Sequence, residues 1–349
     1  MKNKIKILFI TPTLKAGGAE KVLTFLYNNI SRKKFIPELI VIGSKKDSHF
    51  KINSNNVIYL EKDKLRKSFL HILYYIIKGN YQIIFSSSYH VNLFLGLIKF
   101  FFFKKKFIIL ETNISSFRKK FNLYSNSPEF LKKIIYKKIN HIIFQSIDMK
   151  NDFVSCYELK KNFSVINNPI TIDEKPYISP INKSSKFINV GNLVDRKGHL
   201  RILNLFKETN STLSIYGEGL NKKKLNFFIK KYKLHQKVFI KGIEKDLDTI
   251  YCKYNFFIQG SYIEGFPNAL IEALSHGLPC LVFNSPGGHN EIIKEGFNGF
   301  FIEEGIDEIK TLEMFLDYKW DRLKIQRDIF RRYNKRKILL QYESLFKNL

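Results

Sequence analysis

Cysteine is scarce in this sequence: Cys156, Cys252 and Cys280 are the only three, with no C-x-x-C pair and no His–Cys cluster. That spacing supports neither a disulfide framework nor a thiolate zinc site, and it fits a reducing, cytoplasmic setting. A long uninterrupted apolar run is also missing. The most apolar region, F-L-G-L-I-K-F-F-F-F-K-K-K-F-I-I-L at 94–110, is cut by Lys99 and by Lys104 to Lys106. It cannot offer the ~20 apolar residues of a span, so no transmembrane helix is expected. After Met1, K-N-K-I-K-I-L-F-I continues directly into a strand-like run, and no secretion signal is expected. Acidic residues are few as well: 31 Asp and Glu stand against 59 Lys and Arg, a formal net charge of +28. Such an excess points to an anionic partner, whether nucleic acid, anionic lipid or a phosphorylated substrate. Over-use of Lys, Asn, Ile and Phe is equally what A+T-rich coding would produce, and both explanations stand at this point.

What is present is alternation. The chain of 349 residues suits two domains of roughly 150 to 180 residues each. K-I-K-I-L-F-I (4–10) is a short branched run, followed by a glycine-bearing loop and a helical pattern over 19–30. Strand-like runs recur at 37–43, 81–85, 106–110 and 141–144, with helical patterns such as 69–77 and 129–139 between them. The stretch 165–186 gathers three prolines with several Asn and Ser, and reads as an interdomain linker. The pattern then restarts: strand-like runs at 187–191, 211–217, 237–242, 256–260 and 280–283, and helices over 198–207 and 220–233. The expected architecture is α/β, with a Rossmann-like doubly wound first domain over 1–170, a linker over 171–186 and a second such domain over 187–330. A cleft between them is the default site.

In such folds ligands sit beyond the carboxyl ends of the strands. Gly17-Gly18 follows the first strand and opens a helix, a place where backbone N–H groups receive phosphate, although a plain turn glycine is as good a reading. Gly191 to Gly198 occupies the matching place in the second domain, with Arg196 and Lys197 positioned to neutralise a diphosphate; a solvated basic loop is the bland alternative. Gly217-Glu218-Gly219 is a weaker G-x-G. The segment S-Y-I-E-G-F-P-N-A-L-I-E-A-L-S-H-G-L-P (261–279) is more informative because its parts constrain one another. Glu264 falls in a loop with Gly265, Phe266 and Pro267, and Asn268 to His276 read as a helix that carries Glu272 in an apolar frame. Two carboxylates on different elements can then face one pocket, and carboxylates accept hydrogen bonds from the vicinal hydroxyls of a ribose or hexose.

That segment resembles the E-G-x-P-x-x-x-x-E-A-x-x-x-G-x-P-V motif of retaining glycosyltransferases of the GT-B fold, specifically glycosyltransferase family 4. The resemblance extends along the chain through G-G-A-E-K-V-L (17–23), V-I-N-N-P-I (165–170), V-G-N-L-V-D-R-K-G (190–198), Y-G-E-G (216–219) and S-P-G-G-H-N-E-I-I-K-E-G-F-N-G (285–299). It implies two Rossmann-like domains facing across a cleft, with a C-terminal helix (331–349) crossing back to the first. It implies that Glu264 binds hydroxyls of the donor sugar, that the backbone at Gly265, Phe266 and Pro267, beside Asn268, meets sugar and diphosphate, and that Glu272 binds the ribose. Arg196 and Lys197 would stabilise the departing diphosphate in place of a metal ion, with Gly191 and Gly217 in the donor loops and Gly18 approaching from the other domain. No metal and no cofactor is implied beyond the nucleotide diphosphate-sugar itself, with a UDP-sugar favoured.

Two departures from the family pattern matter. Where members commonly carry Arg after the glycine of V-G-x-L this chain has Asn192, and Arg196 is expected to supply the charge. Where many carry His after the strand at 106–110 it has Glu111-Thr112-Asn113, which makes Glu111 and Asn113 candidate acceptor-side contacts. His289 lies in a loop resembling a donor-binding loop, so substrate contact and a structural role both stand; His90 reads as structural or exposed.

The resemblance implies transfer of a hexose to a glycan acceptor, a lipid-linked one in related enzymes, in bacterial surface polysaccharide synthesis such as O-antigen, capsule or lipopolysaccharide. Basic and apolar residues mix at 100–106, 117–121 and 129–139, which suits peripheral attachment to an anionic membrane surface on its cytoplasmic side. A sugar-nucleotide epimerase on the same fold is the alternative enzyme. A nucleic-acid-binding protein is favoured by charge alone, with no recognition motif behind it.

Overall fold

The branched apolar runs become parallel strands. The computed structural model describes residues 4–15, 17–54, 56–116, 128–159, 162–172, 185–244 and 246–349. Among these, 4–116, 128–171 and 335–349 form one compact unit and 172–334 another.

The first unit runs β1 (Ile5–Thr11), α1 (Gly18–Asn29), β2 (Phe35–Val41), β3 (Val57–Tyr59), α2 (Phe69–Lys78), β4 (Ile83–Ser86), α3 (Tyr89–Ile98), β5 (Lys106–Glu111), α4 (Glu129–Lys138), β6 (His141–Phe144), α5 (Ile147–Tyr157) and β7 (Phe163–Val165). The described strands form one sheet in the order β3-β2-β1-β4-β5-β6-β7, every pair parallel. A parallel sheet is covered on both faces, so its inner strands can be apolar throughout: Ile7, Leu8, Phe9 and Ile10 are all fully buried. The order reverses beside β1, and right-handed crossovers therefore place α1 on one face and α2 to α5 on the other.

The second unit runs β8 (Lys186–Val190), α6 (His199–Lys207), β9 (Thr212–Tyr216), α7 (Lys222–Lys231), β10 (Val238–Gly242), α8 (Leu247–Tyr251), β11 (Phe256–Gln259), α9 (Asn268–Ser275), β12 (Cys280–Phe283), α10 (His289–Ile292), β13 (Gly299–Ile302), α11 (Glu308–Asp317) and α12 (Arg322–Tyr333). Its described strands order as β10-β9-β8-β11-β12-β13, again all parallel. Phe187, Ile202, Phe206, Ile258 and Phe315 lie at its core. The doubly wound α/β class expected from the alternation is the one observed. The strands missing from the sequence reading are β3, β7 and β13, all at sheet edges. An edge strand of three or four residues carries too few side chains to display a period.

The last helix, α13 (Lys335–Asn348), belongs to the first unit. Ile338, Tyr342 and Phe346 enter its core, Phe346 edge-on to Phe35 at 6.3 Å and to Phe85 at 5.7 Å. Glu343, buried, accepts from Ser31 N and Lys34 Nζ, both at 2.9 Å. The changeover falls at Asn334/Lys335 rather than at 330/331. The helical pattern through 322–348 shows no break, and the turn comes from Asn334 alone, in an extended conformation at φ −57°, ψ 129°. Most of the expected linker, 173–184, and the basic segment 117–121 lie outside the described residues. Among those described, no helix is long and apolar enough to cross a membrane, and the three cysteines are free thiols.

Candidate active site

In the second unit the strand order reverses between β8 and β11, and the loops leaving their carboxyl ends meet there. The first loop closes in a short 3-10 turn, Asp195 to Lys197, ended by Gly198 in the left-handed region. A Cβ on Gly198 would sit 1.7 Å from the carbonyl oxygen of Gly260, so only glycine lets the two loops touch. Tyr262 N donates to Arg196 O at 2.8 Å. Arg201, on α6, fastens the same junction: Nε donates to Gly260 O at 2.7 Å, a second guanidinium nitrogen donates to Ser261 O, and the plane lies 4.2 Å from the Tyr262 ring. On the other side, a Cβ on Gly287 (φ +131°) would lie 2.0 Å from Glu264 O, and Glu264 N donates to Pro286 O at 3.2 Å. The 260–264 segment is thus held by contacts with both neighbouring loops.

Glu264 is only 6% exposed, and its partners crowd one carboxylate oxygen more than the other. Lys197 Nζ pairs with Oε1, Arg196 Nη1 approaches Oε2 at 3.4 Å, and Ser261 Oγ and Gln259 Nε2 donate to Oε1 at 2.6 and 3.1 Å. Burial by itself would raise the carboxyl pKa; the Lys197 and Arg196 charges and the hydrogen bonds overcome it and bring the value down to about 2. A carboxylate held so low is a poor proton acceptor and a good hydrogen-bond acceptor.

Beyond Glu264, the buried Gly265, Phe266 and Pro267 lead into α9, with Phe266 edge-on to Tyr333 at 5.6 Å. Pro267 is the N-cap; no side chain caps the helix and no acidic residue stands in its first turn, which begins at Asn268. Backbone N–H groups at such an end attract an anion. Glu272 is half-buried on α9. Burial, then the Glu272 charge, push the hydroxyl of the buried Tyr251 well above its usual range.

His289 begins α10 and is fully buried. Its Nδ1 lies 3.3 Å from Ser285 Oγ, and its Nε2 has no partner among the described residues. Burial lowers its pKa to about 4, with Glu264 opposing and Lys197 reinforcing that shift, so the ring is neutral at pH 7. Gly191 and Gly217 are in register nearby: Gly191 N donates to Tyr216 O at 3.0 Å, and Gly217 N to Gly242 O at 2.8 Å. Asn192, standing where the family pattern has Arg, is exposed.

Three candidate residues belong to the first unit. Gly18 opens α1, but Glu20 curls over that end: a Cβ on Gly17 would meet its Oε2 at 2.2 Å. A phosphate arriving there requires Glu20 to swing away. Glu111 ends β5 almost fully buried, accepting from Tyr136 OH at 2.9 Å and Asn92 Nδ2 at 3.3 Å, which makes it a buttress of that strand. Asn113, two residues on, is half-buried, and His90 is exposed. Sequence reasoning passed over Gln259, Ser261 and Arg201. The available signal for Arg201 was its place in the apolar frame of H-L-R-I-L-N-L-F. Among the described residues no cluster of three His, Cys, Asp or Glu could hold a metal ion.

Residues 172–337 match the family model described as glycosyl transferases group 1. An uncharacterized glycosyltransferase of Methanocaldococcus jannaschii is 32% identical over 206 residues, 54% of this chain and 50% of that one. The N-acetylgalactosamine-N,N'-diacetylbacillosaminyl-diphospho-undecaprenol 4-alpha-N-acetylgalactosaminyltransferase of Campylobacter jejuni is 27% identical over 309 residues, 83% of this chain and 84% of that one. The chain therefore spans half the length of the first relative and most of the second. Among solved structures, Anabaena HepE in complex with UDP aligns with a TM-score of 0.78 at 17% identity, over 99% of this chain and 100% of that one. The lipopolysaccharide outer core galactosyltransferase WaaB aligns at 0.77 and 18%, with the same coverage. At these identities the structural likeness establishes the fold alone.

Proposed function

We propose that this chain, whose residues 172–337 match the glycosyl transferases group 1 model, is a glycosyltransferase of GT-B type that moves a hexose from a UDP-sugar to a hydroxyl of a lipid-linked glycan, with retention of anomeric configuration and without a metal ion. The observation that carries the reading is the Glu264, Lys197 and Arg196 cluster, set beside the uncapped end of α9. In the reaction the bond from C1 of the sugar to the β-phosphate oxygen breaks, and its electron pair leaves with the phosphate. The acceptor hydroxyl oxygen bonds to C1, and its proton passes to the phosphate oxygen freed in the same step. Negative charge grows on the diphosphate, where Arg196, Lys197 and the α9 N–H groups stabilise it. Glu264, too acidic to take the proton, accepts hydrogen bonds from the sugar hydroxyls, and Glu272 accepts them from the ribose. Gly191, Gly217, Gly265, Phe266, Pro267 and Asn268 are read as the donor's backbone surroundings in the second unit, and His289 as a further contact.

The choice of UDP is supported by the UDP bound in Anabaena HepE, and a lipid-linked acceptor by the diphospho-undecaprenol substrate of the Campylobacter enzyme. A role in bacterial surface polysaccharide assembly, at the cytoplasmic face of the membrane, follows from the same reading. The test is a panel of UDP- and GDP-sugars with lipid-linked acceptors in the presence of EDTA. Transfer with retained configuration is expected, reduced at least ~100-fold in Glu264→Gln and weakened chiefly in KM in Glu272→Ala. Full activity in both variants would overturn the site assignment, and an epimerised donor with no transferred sugar would favour the epimerase.

A further inference from the structure

One face of the first unit leaves large apolar side chains in water on three adjacent elements. On α2, Leu70 and Ile77 are 79% and 64% exposed; past the end of α3, Phe101 and Phe103 are 73% and 76%; on α4, Phe130 and Ile134 are 63% and 53%. These elements are in direct contact. Phe69 of α2 stacks on Phe94 of α3 at 4.5 Å. Gly96 of α3 lies so near α4 that a Cβ there would meet Ile135 Cγ2 at 2.3 Å. Lys138 Nζ of α4 sits 5.9 Å above the Phe100 ring, and Lys105 Nζ donates to Gly79 O beyond α2 at 3.0 Å. Single exposed apolar residues are ordinary, but a contiguous group on neighbouring elements marks a surface that something covers.

Charge identifies the partner. From residue 64 to 110 there is no Asp or Glu, against eight Lys and Arg. On α4 the one acidic residue, Glu129, is paired with Lys132 at 2.8 Å. Lys78, Lys104, Lys137 and Lys138 are exposed around the apolar side chains. Leucine and isoleucine on α2 and α4 offer nothing for a nucleic-acid base to stack on or hydrogen-bond to. Protruding phenylalanines ringed by lysines with long aliphatic stems fit the boundary between acyl chains and anionic headgroups.

We propose that the outer surface of α2, the 100–104 turn and α4 is a docking face that enters the interfacial layer of an anionic lipid bilayer. This goes further than peripheral attachment read from charge, because it names the inserted side chains and assigns the lysines to the rim. It stands without the transferase reading, since it rests on burial and charge in the first unit alone.

Flotation of the full chain with phosphatidylcholine vesicles, and with vesicles that also contain phosphatidylglycerol, tests it. Wild type is expected to float only with the anionic vesicles. The variant Leu70→Ser/Ile77→Ser/Phe101→Ser/Phe103→Ser keeps every lysine and changes only exposed side chains; it should lose more than ~100-fold in partition. Lys104→Ser and Lys137→Ser should each lose about fivefold. Leu220→Ser/Phe227→Ser, on the exposed surface of the second unit, should change nothing. Wild-type partition in the fourfold variant would overturn the proposal. So would absence of vesicle binding by wild type, including the case in which sedimentation shows this face pairing two copies of the chain. If no nucleotide-sugar supported transfer and vesicle binding still followed the fourfold variant, the function would fall and the docking face would stand.

Discussion

Replacing Lys197 with methionine removes the stronger of the two electrostatic effects that hold Glu264 ionised, while keeping most of the unbranched side chain. Glu264 is 6% exposed, and its pKa falls from an ordinary 4.5 to about 2. A difference of that size is worth about 3 kcal/mol of folding free energy at pH 7. Arg196, at 3.4 Å, remains in the variant, but the burial penalty that Lys197 offset also returns, so a loss of about 3 kcal/mol is the expectation. The folded value lies below the unfolded one, so the contribution is complete above about pH 5 and disappears as the pH falls through about 2. At pH 3.5 the gap between wild type and variant should have narrowed to about 2 kcal/mol.

The chain has a single tryptophan, Trp320, packed against the core of the second unit. Its fluorescence therefore reports unfolding of the unit that contains the pair. With a slope of ~2 to 3 kcal/mol per molar urea, the midpoint at pH 7 should drop by about 1 to 1.5 M. A variant with the wild-type midpoint at pH 7, or a gap that does not change with pH, would refute the claim that Lys197 holds Glu264 ionised.

Arg201→Met strips the donors from Gly260 O and Ser261 O in a buried junction, and should cost about 3 to 5 kcal/mol by the Trp320 urea transition; the wild-type midpoint would contradict it. His199 is buried with neither ring nitrogen partnered among the described residues, and burial followed by Lys197 lowers its pKa to about 4. His199→Leu should stabilise the second unit by about 1 to 2 kcal/mol and flatten the loss of stability between pH 6.5 and 4, measured by the same transition. A steeper acid slope would count against it. Phe346→Ala opens a cavity between α13 and the first sheet, where Phe35 and Phe85 pack, and should cost about 3 to 5 kcal/mol in unfolding followed by far-ultraviolet circular dichroism; no shift would mean α13 is not part of that core.

Sequence alone determined the α/β class, because buried parallel strands must be apolar throughout and the helices between them must carry a 3.6-residue period; both survive in a single sequence. It also drew attention to Glu264, Arg196 and Lys197, since loop glycines and prolines beside charged residues mark the carboxyl ends of strands. It did not supply the short edge strands β3, β7 and β13, nor the helix break at Asn334, where local residues carry too little signal. Only the tertiary structure decided that Lys197 and Arg196 meet on Glu264: they precede it by 67 and 68 positions, and are joined to it by the pairing of β8 with β11 and by Arg201, which no local pattern predicts. Only the structure turned Glu111 into a buried partner of Tyr136, and showed that Phe100, Phe101 and Phe103 stand in water. Exposure depends on which neighbours cover a side chain, and those neighbours come from distant parts of the chain.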